Sequence, residues 1–250
     1  MDLMLKGKCV VVTGGTRNIG AAIVIAFLNE GANVVTTFRQ NSKAAERFMV
    51  EVPSHLKHHF HVYNLDVSSD QGCRELCNAA TREFGGLDVV VNNAAVNLHQ
   101  RPEEVTDEGF DIVLHNTLRS TIYMMRAAFS IMQQRRKGRI VNISSAGVYA
   151  ANPNELVYLC AKAGVEASTR SYARLGAPHG ITVNAIAPHL IMTGMGVETL
   201  SRDPTILTRI PLGRAGRIDE LVNLVLYLSS ELSEYMTGQI LHLNGGRLMK

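Results

Sequence analysis

The residues best suited to chemistry in this 250-residue chain are a tyrosine and a lysine four positions apart, Tyr158 and Lys162. They fall in an amphipathic stretch, Glu155–Ala177, which predicts a helix, and residues four apart share one face of a helix. Reduction of a ketone requires a proton for the forming alkoxide, but a phenol with a pKa of about 10 is a weak acid at neutral pH. A nearby ammonium group lowers that pKa, so the pair can catalyse proton transfer. The spacing is common by chance, so further residues must support it.

A glycine-rich loop, Thr13–Gly20, lies between the first predicted strand and a predicted helix. Glycine allows sharp turns and close approach of the backbone to a ligand, and a helix N-terminus supplies N–H donors and a positive dipole. The loop therefore predicts a pyrophosphate site, although a tight strand–helix turn has a similar sequence. The candidate contacts in it are Gly14, Thr16, Arg17, Asn18 and Ile19.

Short apolar runs alternate with longer amphipathic stretches along the chain. Several runs are almost wholly valine, isoleucine and leucine, as expected when helices cover both faces of a sheet. The alternating order implies right-handed crossovers, so the predicted fold is α/β, a single doubly wound Rossmann-type domain over residues 1–250 with a seven-stranded parallel sheet. The predicted strands are Lys8–Thr13, Asn33–Phe38, Phe60–Asn64, Leu87–Asn92, Arg139–Ile143, Ile181–Ile186 and Gln239–Leu243. The predicted helices are Ile19–Glu30, Ser69–Phe84, Asp107–Arg136, Glu155–Ala177 and Ile218–Ser230.

The end of the second predicted strand bears on the cofactor, because ligands bind at the carboxyl ends of the strands in such a sheet. An acidic residue there binds the ribose hydroxyl of NAD and repels the 2′-phosphate of NADP. This chain has Phe38 followed by Arg39, and Arg17 in the glycine loop can reach the same place. Two guanidinium groups around a phosphate dianion make a charge-assisted clamp, which favours NADP(H). The alternative is that Arg39 is a solvated loop residue.

Together these motifs resemble the short-chain dehydrogenase/reductase family over most of the chain, from Lys6 to about Gly246. The glycine loop resembles the family pattern T-G-x-x-x-G-x-G, with Asn18 in place of the middle glycine. Asparagine is the non-glycine residue best able to adopt a left-handed conformation. The run 92–95, Asn-Asn-Ala-Ala, resembles the family motif N-N-A-G. The cofactor contacts that the resemblance implies outside the loop are Asp66, Val67, Asn93, Ala94, Tyr158, Lys162, Pro188, Ile191 and Thr193.

The resemblance also implies catalytic roles for four residues: Asn116, Ser145, Tyr158 and Lys162. Tyr158 would be the general acid in reduction and the base in oxidation, while Lys162 lowers its pKa and binds the nicotinamide ribose. Ser145, thirteen residues before Tyr158, matches the serine that orients and polarises the carbonyl. Its neighbour Ser144 is expected to be structural. Asn116 matches a helix asparagine that holds a water of a proton relay.

Two departures from the family fall near the expected site. His189 follows Pro188 where the family usually has glycine, and it would either touch substrate or cofactor or point to solvent. Ala95 replaces the last glycine of the N-N-A-G motif, and its methyl group is expected to be tolerated. The resemblance places a substrate lid at about residues 189–211. It also implies a homotetramer, with a dimer as the other possibility.

Composition limits the other classes of function. The formal charge of +3, from 25 basic and 22 acidic residues, is too small an excess to suggest a nucleic-acid-binding protein. No apolar run reaches the ~18 residues of a membrane span, and the N-terminus does not resemble a signal peptide. The four cysteines lack C-x-x-C spacing and the histidines of 55–61 lack regular ligand spacing, so no metal site is expected. These features predict a cytoplasmic protein without a membrane partner.

Within the family, the chain looks most like the 3-oxoacyl-[acyl-carrier-protein] reductases. The predicted function is NADPH-dependent reduction of a ketone to a secondary alcohol, with a 3-oxoacyl thioester or a related intermediate, free or carrier-bound, as substrate. One alternative is a dehydrogenase or reductase of a free alcohol, sugar or polyketide-type ketone. The other is a non-catalytic NADP(H)-binding sensor. The basic run Arg135–Lys137 either offsets a helix dipole or receives an acidic carrier protein.

Overall fold

The computed structural model describes residues 2–249, and at its centre lies one sheet of seven parallel strands. The strands are β1 Cys9–Thr13, β2 Asn33–Phe38, β3 Phe60–Asn64, β4 Val89–Asn92, β5 Gly138–Ile143, β6 Ile181–Pro188 and β7 Ile240–Leu243. Each predicted strand is confirmed, with ends shifted by no more than two residues. Strands β1, β4, β5 and β6 are buried along their whole length. Burial of both faces explains their nearly continuous apolar sequences.

Helices cover both faces of this sheet. Within the described residues they are α1 Asn18–Asn29, α2 Ser42–Glu51, α3 Asp70–Phe84, α4 Asp107–Leu114, α5 Ser120–Arg135, α6 Gly147–Ala150, α7 Leu156–Gly176, α8 Gly194–Arg202 and α9 Ile218–Ser229. Helices α1 and α9 pack on one face of the sheet, and α3, α5 and α7 pack on the other. None of the helices described is long and apolar enough to cross a membrane. The predicted single α/β domain with a doubly wound parallel sheet is confirmed.

The predicted helix Asp107–Arg136 is interrupted. Helix α4 ends at Leu114, a π-helical turn follows at His115–Arg119, and α5 continues from Ser120. In this turn the Ser120 N–H donates to the carbonyl five residues back, at His115. A π turn adds one residue to a helical turn and so changes which side chains point inward. The periodicity of the sequence does not mark this insertion.

Three helices, α2, α6 and α8, are not among the predicted ones. Helix α2 is largely polar and buries only Ala45 and Phe48. Helix α6 is a single turn, and α8 contains two glycines in nine residues. Such segments give a weak apolar period, because few of their side chains contribute to the core.

The order of the strands places a crevice between β1 and β4. The sheet runs β3-β2-β1-β4-β5-β6-β7, so the chain moves outward from β1 to β3 and then returns to start β4 on the other side of β1. The loops after β1 and β4 therefore diverge at the carboxyl edge of the sheet. This reversal point is where ligands bind in open α/β sheets.

Candidate active site

The glycine loop turns sharply between β1 and α1. Gly14 (φ +65°) and Asn18 (φ +51°) both lie in the left-handed region. Asn18 therefore adopts the backbone conformation expected of the glycine that it replaces in the family pattern. A Cβ atom on Gly20 would lie 2.3 Å from the carbonyl oxygen of Gly14, so only glycine fits there. Helix α1 begins at Asn18 without a side chain that caps its first N–H groups. Uncapped N–H groups at a helix N-terminus bind phosphate, so this loop fits the pyrophosphate of a dinucleotide.

The left-handed conformation of Asn18 can be tested by protein stability. Asn18→Ala is expected to lower the free energy of unfolding by about 1 kcal/mol relative to Asn18→Gly, because alanine is strained at positive φ and glycine is not. Urea unfolding followed by circular dichroism measures the difference. Asn29, the last residue of α1, is the matched control. There the order should reverse, because glycine is the poorer helix former. Equal stability of the two Asn18 variants would contradict the assigned conformation.

Thr13 and Asn93 hold the two sides of the crevice together. Thr13 Oγ1 accepts the N–H groups of Asn93 and Ala94, each at 3.0 Å. The Asn93 amide Nδ2 donates to the carbonyl oxygens of Thr13 at 3.0 Å and Gly14 at 3.2 Å. The chain after β4 is therefore fixed against the glycine loop, and the expected contacts Asn93 and Ala94 lie at the reversal point of the sheet.

Arg39 lies at the end of β2 and makes contacts with two other residues expected in the site. Its Nη1 donates to Oδ1 of Asn116 at 2.5 Å and lies 3.8 Å from Oδ2 of Asp66. Asp66 also accepts the Ser68 N–H at 2.8 Å, which shapes the loop after β3. These contacts hold the guanidinium of Arg39 at the carboxyl edge of the sheet, with 36% of the side chain exposed.

The turn that carries Asn116 packs against α7, the helix of Lys162. Asn116 lies in the π turn, half-buried, and its Oδ1 accepts from Arg39. The neighbouring Thr117 is fully buried instead, and its Oγ1 bonds both the N–H and the carbonyl oxygen of Val96, each at 3.1 Å. The π turn explains why Thr117 is buried and Asn116 is not, because its extra residue changes the direction in which each following side chain points. The role of Asn116 in a proton relay through a bound water stays a prediction.

Ser145 and Tyr158 come together at the carboxyl end of β5. Burial raises the pKa of Tyr158, the Glu155 carboxylate raises it further, and a hydrogen bond with the Ser145 side chain acts in the opposite direction. The ammonium of Lys162 lies 5.6 Å from the centroid of the Tyr158 ring. The net effect is a raised pKa, contrary to the lowering expected from the lysine alone. A raised pKa keeps the phenol protonated at neutral pH.

Lys162 is almost fully enclosed beneath the tyrosine. Its side chain reaches from α7 to the end of β5, where Nζ donates to the carbonyl oxygen of Ile143 at 2.5 Å. Burial lowers the pKa of Lys162 from 10.5 to about 8. At neutral pH the site therefore holds a buried cation directly below the phenol.

Ser144 is structural, as expected, and its partner is a buried carboxylate that the sequence did not single out. Glu166 is 3% exposed and lies one turn beyond Lys162 on α7. One carboxylate oxygen accepts from Ser144 Oγ at 2.9 Å and the other from Tyr149 Oη at 2.5 Å. These bonds fix the segment that contains Ser145 against α7. The sequence signal that could have identified Glu166 was an acidic residue on the same helix face as Tyr158.

His189 follows Pro188, the last residue of β6, and is partly shielded from solvent. Its φ is not positive, since Met4, Asn18, Arg136 and Ala151 are the described non-glycine residues with positive φ. The glycine usual at this place in the family is therefore not required by the backbone. The ring is half-buried, and within residues 2–249 its Nδ1 has no hydrogen-bond partner. Burial and then Arg247 lower the pKa of His189, while Glu155 raises it.

The segment expected as a lid is partly helical, and its helix begins beside the glycine loop. Thr193 caps α8, with its side chain accepting the Gly196 N–H at 3.4 Å. Ile191 is buried in the core and pairs with Gly216 in a short β-bridge. A Cβ atom on Gly194 would lie 3.5 Å from Asn18 Oδ1, so α8 begins beside the phosphate loop. The cluster that anchors the segment comprises Leu190, Leu200, Ile206, Leu207, Ile210 and Ala215.

The carboxyl edge of the sheet thus gathers two functional parts in one crevice. The glycine loop fits a dinucleotide, and a nicotinamide dinucleotide supplies hydride when bound. The group Ser145, Tyr158 and Lys162 fits proton transfer to the oxygen of a carbonyl. This combination defines an oxidoreductase that acts on CH–OH and C=O groups.

Comparisons with known proteins agree with this class. A family profile described as enoyl-(acyl carrier protein) reductase matches residues 14–247. A 3-oxoacyl-[acyl-carrier-protein] reductase from Staphylococcus aureus is 33% identical over 98% of this chain and 100% of its own length. An acetoacetyl-CoA reductase from Shinella zoogloeoides is 35% identical over 96% of this chain and 98% of its own. The chain belongs to the short-chain dehydrogenase/reductase family, as its motifs indicated.

Proposed function

We propose that this protein uses NADPH to reduce a 3-oxoacyl thioester to the corresponding 3-hydroxyacyl thioester. The observation that carries the proposal is the contact of Ser145 with Tyr158 above the buried Lys162, beside the glycine loop. Two relatives that align over almost their whole length are named as reductases of 3-oxoacyl and acetoacetyl thioesters, which supports the substrate class. The complete acid–base group favours catalysis over a sensor that only binds the cofactor.

In this mechanism each site residue acts on the carbonyl oxygen or supports the residue that does. Bound NADPH supplies the hydride that the carbonyl carbon accepts. Ser145 Oγ hydrogen-bonds the carbonyl oxygen, and Tyr158 donates its proton to that oxygen as negative charge develops. Burial holds the pKa of Tyr158 above its usual range, so the phenol carries this proton at neutral pH. Lys162, fixed by the Ile143 carbonyl, stabilises the phenolate that remains.

The preference for NADPH rests on Arg39 together with Arg17, which precedes α1. Both are cations at the carboxyl edge, and each charge-assisted hydrogen bond to the 2′-phosphate contributes about 1.5–3 kcal/mol. Arg39→Ser is therefore expected to lower kcat/KM for NADPH by roughly 10- to 100-fold and to change kcat/KM for NADH much less. Steady-state rates with each cofactor measure this. Arg47→Ser, on the exposed surface of α2, is the control. An equal loss with both cofactors would contradict the clamp.

The proposed activity is tested directly with a short 3-oxoacyl thioester. Initial rates of cofactor oxidation are compared for NADPH and NADH under identical conditions, and the hydroxyacyl product is identified by mass spectrometry. Turnover that strongly favours NADPH is the expected result. Tight NADPH binding without turnover of any thioester would contradict the substrate class and leave the cofactor assignment in place.

Two of the three cations in the basic run Arg135–Lys137 are paired with carboxylates. Arg135 pairs with Asp88 at 3.3 Å, and Lys137 pairs with Glu231. Arg136 donates to a backbone carbonyl at 2.9 Å. The run also precedes β5, so it lies at the edge of the sheet opposite the site. A carrier-bound substrate would therefore dock elsewhere.

We further propose that the protein forms a homotetramer, as the family resemblance implies. Apolar side chains on two helices support self-association, since Phe110 on α4 is 44% exposed and Leu156 on α7 is 46% exposed. The two helices share an apolar cluster that contains Val113 and Val157, and exposed apolar side chains on adjoining helices are typical of interfaces. Light scattering of the purified protein gives the mass, and a monomer at micromolar concentration would contradict the proposal.

A further inference from the structure

Ser145 lies in a short segment between β5 and α7, and the conformation of this segment decides where its hydroxyl group points. We call residues 144–150 the serine segment. Within it, Ser145 Oγ accepts the Gly147 N–H at 3.1 Å. The hydroxyl hydrogen is therefore left to be donated, as the reaction requires at the carbonyl oxygen. A shift of this backbone would move the hydroxyl group away from Tyr158, so the serine segment must be held in place.

Backbone hydrogen bonds to β6 hold one side of the serine segment. The Ser144 N–H donates to the carbonyl oxygen of Ile186 at 2.7 Å, and the Ala146 N–H donates to that of Pro188 at 2.9 Å. The rest of the segment is α6, a single helical turn, which has little stability of its own. Its other neighbour is α7, against which α6 packs. Side chains of α7 can therefore influence where Ser145 lies.

Glu166 on α7 links this helix to the serine segment. One oxygen of its carboxylate accepts from Ser144 Oγ at 2.9 Å, and the other accepts from Tyr149 Oη at 2.5 Å. Ser144 comes immediately before Ser145 and Tyr149 comes after it, so the two bonds hold the segment on both sides of the serine. Tyr158 lies on the same helix as Glu166. One carboxylate thus joins the elements that carry the two hydroxyl groups of the site.

The burial of Glu166 indicates a role beyond packing. The residue is 3% exposed, and removal of a carboxylate from water is costly even when it accepts hydrogen bonds. An apolar residue of similar size often replaces a buried charge without loss of stability, so packing alone does not account for a glutamate at this position. The carboxylate provides two charge-assisted hydrogen bonds to the serine segment, which an apolar side chain cannot.

We propose that Glu166 is a positioning residue for the reaction, which holds the serine segment so that the Ser145 hydroxyl reaches the carbonyl oxygen together with Tyr158. It acts through Ser145 and is not itself a catalytic residue. The inference rests on the proposed carbonyl reduction. It predicts that the contribution of Glu166 to the rate disappears when residue 145 has no hydroxyl group to place.

Replacement of Glu166 by methionine tests the proposal, because it keeps the length of the side chain and removes both acceptors. We expect Glu166→Met to lower kcat for reduction of a 3-oxoacyl thioester by about 10- to 100-fold, since misplacement of a reacting group by ~1 Å has effects of this size. The Kd for NADPH should stay close to the wild-type value, because the glycine loop and Arg39 lie outside the serine segment. Tyr149→Phe removes one of the two bonds and should lower kcat by a smaller factor. It replaces Glu166→Met in every comparison if that protein does not fold.

Thr169→Val is the matched control. Thr169 is fully buried on the same helix, where its Oγ1 accepts from Asn142 Nδ2 at 2.9 Å and donates to the carbonyl oxygen of Val165 at 2.7 Å. The substitution removes a buried hydrogen bond between α7 and β5 but none to the serine segment. It should lower the melting temperature and keep the wild-type kcat. A loss of kcat as large as that of Glu166→Met would indicate a general effect of packing and would overturn the proposal.

A double-mutant cycle with Ser145→Ala separates positioning from damage to the fold. Mutations that act through one group are not additive, whereas independent effects on the rate multiply. In the Ser145→Ala protein there is no hydroxyl group to place, so Glu166→Met should lower kcat much less than it does in the wild-type protein. Single-turnover rates with saturating NADPH measure all four proteins. Equal losses in the two backgrounds would overturn the positioning role.

Hydrogen exchange gives a readout that does not depend on the substrate. Amides of the serine segment should exchange about 10-fold faster in Glu166→Met than in the wild-type protein, while those of Thr169→Val should not change. Unchanged exchange in the serine segment of Glu166→Met would overturn the proposal whether or not a thioester is reduced. Reduction of ethyl acetoacetate but of no thioester would contradict the proposed thioester substrate alone, and the cycle would then be measured with that ester. Failure to reduce any carbonyl compound would overturn both proposals.

Discussion

Replacement of Tyr158 by phenylalanine is expected to lower kcat for ketone reduction by about 10³-fold, within the range typical for loss of a general acid. The change removes one oxygen atom and leaves the aromatic ring in place against Val157 and Ala161 in its small apolar cluster. The lost oxygen is the one that would protonate the alkoxide and that bonds Ser145. Binding of NADPH should remain close to wild type, because the glycine loop and Arg39 lie outside this contact.

The two measurements for this variant separate chemistry from binding. Single-turnover reduction by saturating NADPH gives the chemical rate, and cofactor fluorescence gives the Kd for NADPH. Tyr172→Phe is the matched control, since it removes a phenol from the same helix where the ring packs on Phe129. It should keep the wild-type rate. A Tyr158→Phe protein that reduces ketones at the wild-type rate would show that another group supplies the proton.

The sheet was predictable from sequence because its strands are buried on both faces. A strand such as β1, buried throughout its length, is apolar at every position before its last, and this leaves a short uninterrupted run. The residues that cap the helices could also be predicted from the sequence. Ser69 precedes α3 and its side chain accepts the Gly72 N–H, while Gly85 ends the helix in a left-handed conformation. Where local chemistry and tertiary packing agree, the pattern fixes an element to within two residues.

The orientation of Asn116 is a feature that the sequence motif does not contain. Its identity and approximate position match a motif, but the orientation of a helical side chain depends on the number of residues in each turn before it. The π turn at His115–Arg119 shifts this count, so Thr117 occupies the buried position and Asn116 contacts Arg39. A sequence motif contains residue types and spacing, but not the local widening of a helix.

The raised pKa of Tyr158 has a similar explanation. The spacing of tyrosine and lysine on α7 predicts that they are neighbours, and they are, with the ammonium 5.6 Å from the ring centroid. The sign of the pKa shift depends instead on burial and on Glu155, three residues before the tyrosine at the start of the helix. Burial is a property of the whole fold, so the motif alone could not give the balance between these effects.

Lys162 is the residue for which function and stability are expected to conflict most strongly. Its ammonium is held in a site where burial lowers the pKa from 10.5 to about 8, a cost on the order of 3 kcal/mol at neutral pH. Lys162→Met removes the charge and keeps the volume. We expect it to lower kcat by more than about 10²-fold. We also expect it to raise the free energy of unfolding by about 1–2 kcal/mol, since loss of the bond to Ile143 offsets part of the gain.

The pH dependence of this gain in stability tests its cause. Between pH 8 and pH 10.5 the unfolded wild-type chain binds more protons at Lys162 than the folded protein does, so wild-type stability should rise across that window. The advantage of Lys162→Met should therefore be largest below pH 8 and shrink toward pH 10.5. Urea unfolding at several pH values measures this, with the exposed Lys43→Met as the control that should show no such trend. A stability difference that does not vary with pH would mean that packing, and not the buried charge, separates the two proteins.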